Sequence, residues 1–468
     1  MSLALSPVSD HYDYKCNRGG LMQRSLSFVL VPLLVAGSAS AQTVPPATAS
    51  VAPAATISAA PDFGSRALEL PALLRGEIAY DAFFSAGFRQ AIPQDKFVAL
   101  TAQIGGAAGK AVSLEDMTMT GPRTGQVRLR FERAIVTMAM TVDPDSPHLV
   151  TRLSITGLSA AEKSVDEVLS AISRLPGNTG FALARLDGDQ LRFVHLQGAD
   201  RAMAIGSEFK LVILAELVRA LTAGERHWDD MITLDGRALP PGGYMAKPAG
   251  TRISLRELAT QMISISDNSA TDILIATLGR AKIEKMLSVV GIADPTGMRP
   301  FLTTLDAFKL KSLAAAGKID WAKMAEAARR KALDGDLGKA DVAIVSAAPA
   351  GVRAPRFIDT IEWFASPADM VRVMDWLRRH TESGPAADAR AILAKNPGIG
   401  PAAAGGWNYV GFKGGSEPGV IALAFLLQAK DGSWWAASGS WNDATHEIDG
   451  LRFASLIGRA IELAKPHG

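Results

Sequence analysis

The chain of 468 residues has one cysteine, Cys16. Disulfides and thiol chemistry are therefore excluded as its organising devices. Its histidines (His11, His148, His195, His227, His380, His446 and His467) are scattered, with no His-x-His, His-Glu-x-x-His or Cys-x-x-Cys pattern. No metal site built from a local motif is expected, and no residue pattern calls for a cofactor. Runs of like charge are absent, and 49 basic against 47 acidic residues leave a net charge of +2. No field therefore recruits nucleic acid or an anionic membrane. Gly-x-Ser-x-Gly, the mark of the nucleophile elbow, does not occur. Hydrophobic residues at 48% and charged residues at 21% fit an ordinary globular protein of two or three domains.

The N-terminus reads as an export signal. Met22-Gln23-Arg24 supplies a basic start, Phe28 to Ala36 an apolar stretch, and Ala39-Ser40-Ala41 a small-residue cleavage site. The apolar stretch is too short to span a bilayer and Pro32 interrupts it, so cleavage after Ala41 is expected rather than a membrane anchor. Residues 1–21 then form an upstream extension carrying Cys16, and the mature protein is secreted or periplasmic. Residues 42–61, rich in Ala, Pro, Ser and Thr, are expected to be a disordered linker.

Residues 62–158 read as a small α+β domain. Helical spacing over Ala79 to Ala91 and Asp95 to Ile104 is followed by alternating runs: Leu114, Met117 and Met119; Val127, Leu129 and Phe131; Val136, Met138, Met140 and Val142; Leu149, Thr151, Leu153 and Ile155. This layout is similar to the cystatin-like or nuclear-transport-factor-like (NTF2-like) scaffold, with a sheet curled over a helix. None of its acids is spaced for acid–base work, so it is read as structural or as an aid to substrate binding.

Residues 159–468 have the layout of an α/β (α+β) sandwich. Glu162 to Leu175 is an amphipathic helix. Strands over Gly180 to Leu186 and Leu191 to Leu196 flank the hairpin signal Asp187-Gly188-Asp189. A helical middle runs to about Arg379, and strands over Tyr409 to Lys413, Gly419 to Ala429 and Ser433 to Trp441 precede a last helix, Ile448 to Ala464. Strands at both ends with helices between them imply one antiparallel sheet with helices on its faces.

Three short motifs lie in this segment. Ser207-Glu208-Phe209-Lys210 opens an apolar helix, where free N–H groups and the helix dipole favour a developing oxyanion. Lys210, three residues on, shares the helical face of Ser207 and can act as its base if burial or a neighbouring cation lowers its pKa. Ser266-Asp267-Asn268 joins two helical runs; Ser266 can shuttle a proton and Asn268 can bind a substrate amide. Lys413-Gly414-Gly415-Ser416 ends a strand, where glycine allows close approach and Lys413 can hold a carboxylate. The N–H groups of Ser207 and Ser416 would form an oxyanion hole. Each piece alone has a plainer reading: an N-cap serine before a surface lysine, a capped helix joint, a glycine turn after a strand.

Together, and in this order, the motifs resemble the Ser-x-x-Lys, Ser-Asp-Asn and Lys-Thr-Gly set of the class A-type serine β-lactamases and related penicillin-recognising enzymes. Met262 to Asp272 and Pro248-Ala249-Gly250-Thr251 are similar to that family as well. Preceded by a small α+β domain, the segment is also similar to the β-lactamase-like proteins of clavulanic acid biosynthesis. The resemblance implies a serine acyl-hydrolase that opens a β-lactam, or a related amide or ester, through a Ser207 acyl-enzyme. Its partner is a small molecule; carboxylesterase, D-Ala-D-Ala peptidase and non-catalytic β-lactam binder remain as alternatives. The sequence departs from the family twice. Lys-Gly-Gly replaces Lys-Thr-Gly, leaving Ser416 to supply a hydroxyl. No Glu-x-x-x-Asn lies between Asn268 and Lys413, where a helical insertion (about Asp306 to Leu337) occurs instead. Glu362 is the nearest substitute as a deacylation base.

Overall fold

The computed structural model describes residues 60–335, 337 and 354–465. The expected signal, cleavage site and nearly all of the linker lie outside these residues. The helix Pro61–Leu74 starts with proline in its first turn and buries Phe63, Ala67 and Leu70, a 4-3 spacing that puts them on one side. It packs on an antiparallel meander of β1 (Ala111–Gly121), β2 (Thr124–Phe131), β3 (Ala134–Val142) and β4 (Val150–Ala160). Val127, Leu129 and Phe131, like Val136, Met138, Met140 and Val142, are buried as their alternation predicts. Two expectations change. The single helix over Ala79 to Ala91 is two short ones, Tyr80–Phe83 and Ala86–Ala91, because Ser85 caps the second by accepting from Phe88 N–H at 3.3 Å. On β4 the register skips Thr151, pairing Val142 with Val150, so Val150 rather than Leu149 faces the core, while Leu153 keeps its expected face opposite Met140.

The larger sheet has the order β11-β12-β13-β5-β6, all antiparallel. It joins β5 (Asn178–Asp187) and β6 (Gln190–Gln197) to β11 (Tyr409–Glu417), β12 (Val420–Gln428) and β13 (Trp434–Asn442). Four shorter strands make two pairs: β7 (Met203–Ala204) with β10 (Phe364–Ala365), and β8 (Met231–Thr233) with β9 (Arg252–Ser254). The two faces of the large sheet differ in side-chain size. Phe181, Leu183, Leu423, Phe425 and Leu427 meet helices Val165–Ser173 and Gly450–Leu463. Ala182, Ala184, Ala422, Ala424 and Ala436 face helices Lys210–Thr222 and Pro367–His380, which the small residues allow to approach closely. The register places Lys413 opposite Ala424 and Gly415 opposite Ala422, so both belong to this second face. β11 is an edge strand whose outer rim is free to meet other elements. The insertion comprises helices Thr304–Ala315 and Glu326–Asp334 with a 3₁₀ turn between them.

Candidate active site

Ser207 lies in a 3₁₀ turn, Gly206–Phe209, that runs directly into the helix Lys210–Thr222. The turn is pinned from behind. Asn442 Oδ1 accepts from Ala204 N–H at 2.7 Å, Asn442 Nδ2 donates to Ala204 O at 3.0 Å, and Ile205 N–H donates to Trp363 O at 3.0 Å. Phe209 stacks on Trp363 with ring centres 3.7 Å apart. Ser207 itself is half-buried, whereas its neighbours Gly206, Glu208 and Phe209 are buried. A helix buried on nearly all sides therefore delivers one accessible hydroxyl at its start.

The rim of β11 closes on this turn. A Cβ on Gly415 would lie 2.0 Å from Ile205 O and 2.5 Å from Ser207 N, and one on Gly206, at φ +48°, would lie 3.0 Å from Ser416 N. Only glycine at 415 permits this backbone approach. It brings the amide nitrogens of Ser207 and Ser416 to the same edge, as an oxyanion hole requires.

Lys210, Ser266, Asn268 and Lys413 converge below. Lys210 Nζ lies 2.6 Å from Ser266 O, 3.0 Å from Ser266 Oγ and 2.8 Å from Asn268 Oδ1. Lys413 Nζ donates to Ser266 Oγ at 3.0 Å and to Gly414 O. One hydroxyl thus bridges two lysines. Ser266 holds φ +60°, an unfavourable region for serine that costs about 1–3 kcal/mol. Asp267 fixes it there. Its Oδ1 accepts from Ala270 N–H at 2.7 Å and from Ser269 Oγ at 2.6 Å, and its Oδ2 accepts from Gly243 N–H at 2.6 Å. Asp267 is the helix cap that its position in the joint predicts.

Both lysines are buried, Lys210 at 0% and Lys413 at 3% exposure. Burial, then the Lys413 charge, holds Lys210 well below the ordinary lysine range. Burial brings Lys413 down to about 7, partly opposed by Glu208. Three partners suit a neutral Lys210: it can donate to the Ser266 carbonyl and the Asn268 amide oxygen, and accept from the Ser266 hydroxyl. Glu208, within the Ser-x-x-Lys motif, has no exposure, and neither carboxyl oxygen has a partner among the described residues. Burial pushes its pKa well above the ordinary value despite the Lys413 charge.

Glu362 is buried beside this machinery but is engaged elsewhere. Lys311, from the insertion helix, lies 2.9 Å from Glu362 Oε1 and 2.6 Å from each oxygen of Glu417, the residue after Ser416. Burial raises the Glu362 pKa, but the Lys311 charge and its hydrogen bonds outweigh this and leave it below the ordinary glutamate value. Glu417 is pushed well above that value by burial and by the charge of Glu362. Two carboxyls that hydrogen-bond to each other hold one proton between them. Sequence reasoning missed Glu208, Lys311 and Glu417. Only Glu208 left a local signal, as the one acid in the run Met203 to Ala215, which is apolar apart from it, Ser207 and Lys210.

Fold and site define a serine hydrolase of the β-lactamase type, acting on small molecules. The chain belongs to the beta-lactamase enzyme family (Beta-lactamase2), which residues 160–394 match. That stretch includes Ser207, Lys210 and Ser266 and ends before Lys413. Among solved structures, the β-lactamase from Sphaerobacter thermophilus is 20% identical, covering 64% of this chain and 94% of its own, at a TM-score of 0.44. PBP-A is 18% identical, with 64% and 93% covered at a TM-score of 0.43. The β-lactamase from Chitinophaga pinensis is 18% identical, with 64% and 96% covered at a TM-score of 0.41. No curated protein matches the chain significantly.

Proposed function

We propose that the protein opens a β-lactam, or a related amide or ester, through a Ser207 acyl-enzyme. The observation that carries this reading is the Ser266 hydroxyl 3.0 Å from both Lys210 and Lys413, beside a nucleophile turn that only Gly415 can approach. Lys210 takes the Ser207 proton as Oγ bonds to the carbonyl carbon. The oxyanion rests on the Ser207 and Ser416 N–H groups. As the C–N bond breaks, Ser266 gives its proton to the nitrogen and regains one from Lys210. Lys413 and Ser416 hold a substrate carboxylate, and Asn268 a substrate amide.

Water must then break the ester. Glu362, ionised and held by Lys311, is a weak base for that task, and loss of a general base costs ~10²–10⁴-fold in the step it serves. Acylation by penicillins should therefore be a burst followed by slow release. Intact-protein mass spectrometry over time, on wild type and Ser207→Ala, tests this. A label that persists in Ser207→Ala removes the nucleophile assignment, and burst-free rapid hydrolysis removes the slow-release one. We also propose export, with the mature chain starting at Gln42. N-terminal sequencing of the native protein should find that residue, and an intact Met22 to Ala41 would reject it.

A further inference from the structure

The helix Thr304–Ala315 has no part in the chemistry above, yet it touches all three motif segments. At its start, Asp272 of the Ser-Asp-Asn helix accepts from Thr304 N–H at 2.7 Å (Oδ1) and from Leu305 N–H at 3.0 Å (Oδ2). Just before it, Leu302 O accepts from Trp363 Nε1 at 3.3 Å, and Phe301 meets Phe209 edge-on. Two turns along, Lys311 binds Glu417, one residue past the Ser416 amide, and Glu362, one residue before the Trp363 that accepts from Ile205. Among the described residues β11 is an edge strand with β12 as its only strand partner. Its outer rim at Gly415–Ser416 faces the nucleophile turn and must be kept there by something other than a sheet ladder.

We propose that Lys311 is a positioning residue for acyl transfer: through Glu417 and Glu362 it ties the Ser416 end of β11 to the segment that carries Ser207, and so sets the spacing of the two oxyanion N–H groups. The insertion is thus a strut of the site. This inference rests on the acyl-enzyme reading for its catalytic consequence but not for its structural one. Lys311 suits the task because one ammonium offers three donors and meets three carboxyl oxygens at 2.6–2.9 Å. Its side chain is only 17% exposed, so water competes weakly for these bonds. Without it, two adjacent carboxyls remain with no cation between them, and the partly exposed Glu417 is the one able to turn to solvent, carrying the strand end with it.

The test uses the full chain with Lys311→Met, which keeps the stem and removes the charge, and Glu417→Leu, which keeps much of the bulk and removes both oxygens that Lys311 holds. A misplacement of about 1 Å costs roughly 10²-fold in rate. The acylation rate constant should accordingly fall roughly 10- to 100-fold, with the non-covalent Kd changed less than about threefold. Hydrogen exchange in Gly414–Glu417 should rise about tenfold or more, while β12 and β13 exchange as in wild type. Lys311→Arg, which keeps a cation within reach of both carboxyls, should restore most of both. Unchanged exchange in residues 414–417 and an unchanged acylation rate in both Lys311→Met and Glu417→Leu would overturn the proposal. If wild type is never acylated, the acyl-enzyme reading fails, and the exchange measurement still decides whether Lys311 is the tie.

Discussion

Gly415→Ala places one methyl group where the structure has no room. Its carbon would sit 2.0 Å from Ile205 O, 2.5 Å from Ser207 N and 2.8 Å from Gly206 C, all backbone atoms that cannot rotate away. Ordinary contact begins at 3.4 Å, so β11 and the nucleophile turn must separate by more than about 1 Å. That withdraws Ser416 N–H from the oxyanion, and one such donor is worth ~10²–10³ in rate, or ~2.7–4 kcal/mol of transition-state stabilisation. The overpacking itself costs about 1–3 kcal/mol of folding stability. Gly414→Ala is the control: its Cβ would meet the ring end of Phe412 at 2.8 Å and a Leu423 methyl at 3.3 Å, side-chain atoms that can yield. Single-turnover acylation followed by rapid quench and mass spectrometry, alongside thermal unfolding, reads both terms. Gly415→Ala should acylate 10²- to 10³-fold more slowly and Gly414→Ala within about tenfold of wild type. A folded Gly415→Ala that acylates within threefold of wild type would falsify the oxyanion geometry.

Replacing Lys413 by Met removes a charge that depresses Lys210, so the Lys210 pKa rises and the acidic limb of the acylation pH profile should move to higher pH; an unmoved limb means Lys210 is not the base. The same variant bears on stability. Lys413 titrates near 7 in the fold against ~10.4 when unfolded, so between these values the unfolded chain binds more protons and wild-type stability rises with pH. Denaturant titrations should find that rise smaller in Lys413→Met by a few kcal/mol, ~1.36 per pKa unit, and equal slopes would contradict the buried, depressed lysine. Glu208 is raised rather than lowered, so the native state bears its cost above the unfolded value of ~4.3 and loses that cost below it. Glu208→Gln should be at least as stable as wild type at pH 7, with the advantage shrinking toward pH 4. A variant less stable throughout that range would mean the carboxyl is ionised and paired.

What was legible in the chain follows from how far each interaction reaches along it. Strands β5 and β6 declared themselves by composition around Asp187-Gly188-Asp189, and the observed hairpin extends only a few residues beyond the runs read from sequence. Asp267 was readable as a cap because capping is a contact across three residues. The motif triplet was legible because chemistry, not folding, dictates its residue types, and the fold joins Lys210 to Ser266 and Asn268, and Lys413 to Ser266, by hydrogen bonds. The start of β4 was misread because a skipped residue reverses alternation on one side of it without altering composition.

The Lys311 cluster marks the other limit. Its partners lie 51 and 106 residues away, and nothing near Lys311 distinguishes it from Lys309 on the same helix. Glu362 looked like a spare base because an acid near an active-site segment has the same local signature whether it activates water or neutralises a lysine. Only the third dimension separates those roles, and it does so by charge balance. With Lys311 bonded to both carboxyls, the cluster carries one cation against two acids that share a proton. A group that stabilises the site by staying ionised in that balance is poorly suited to give up its charge to a water proton. The same neutrality lets a buried cluster stand beside two depressed lysines without adding a strong field of its own. The lysine pair around Ser266 is thereby left to be governed by burial and by its own repulsion.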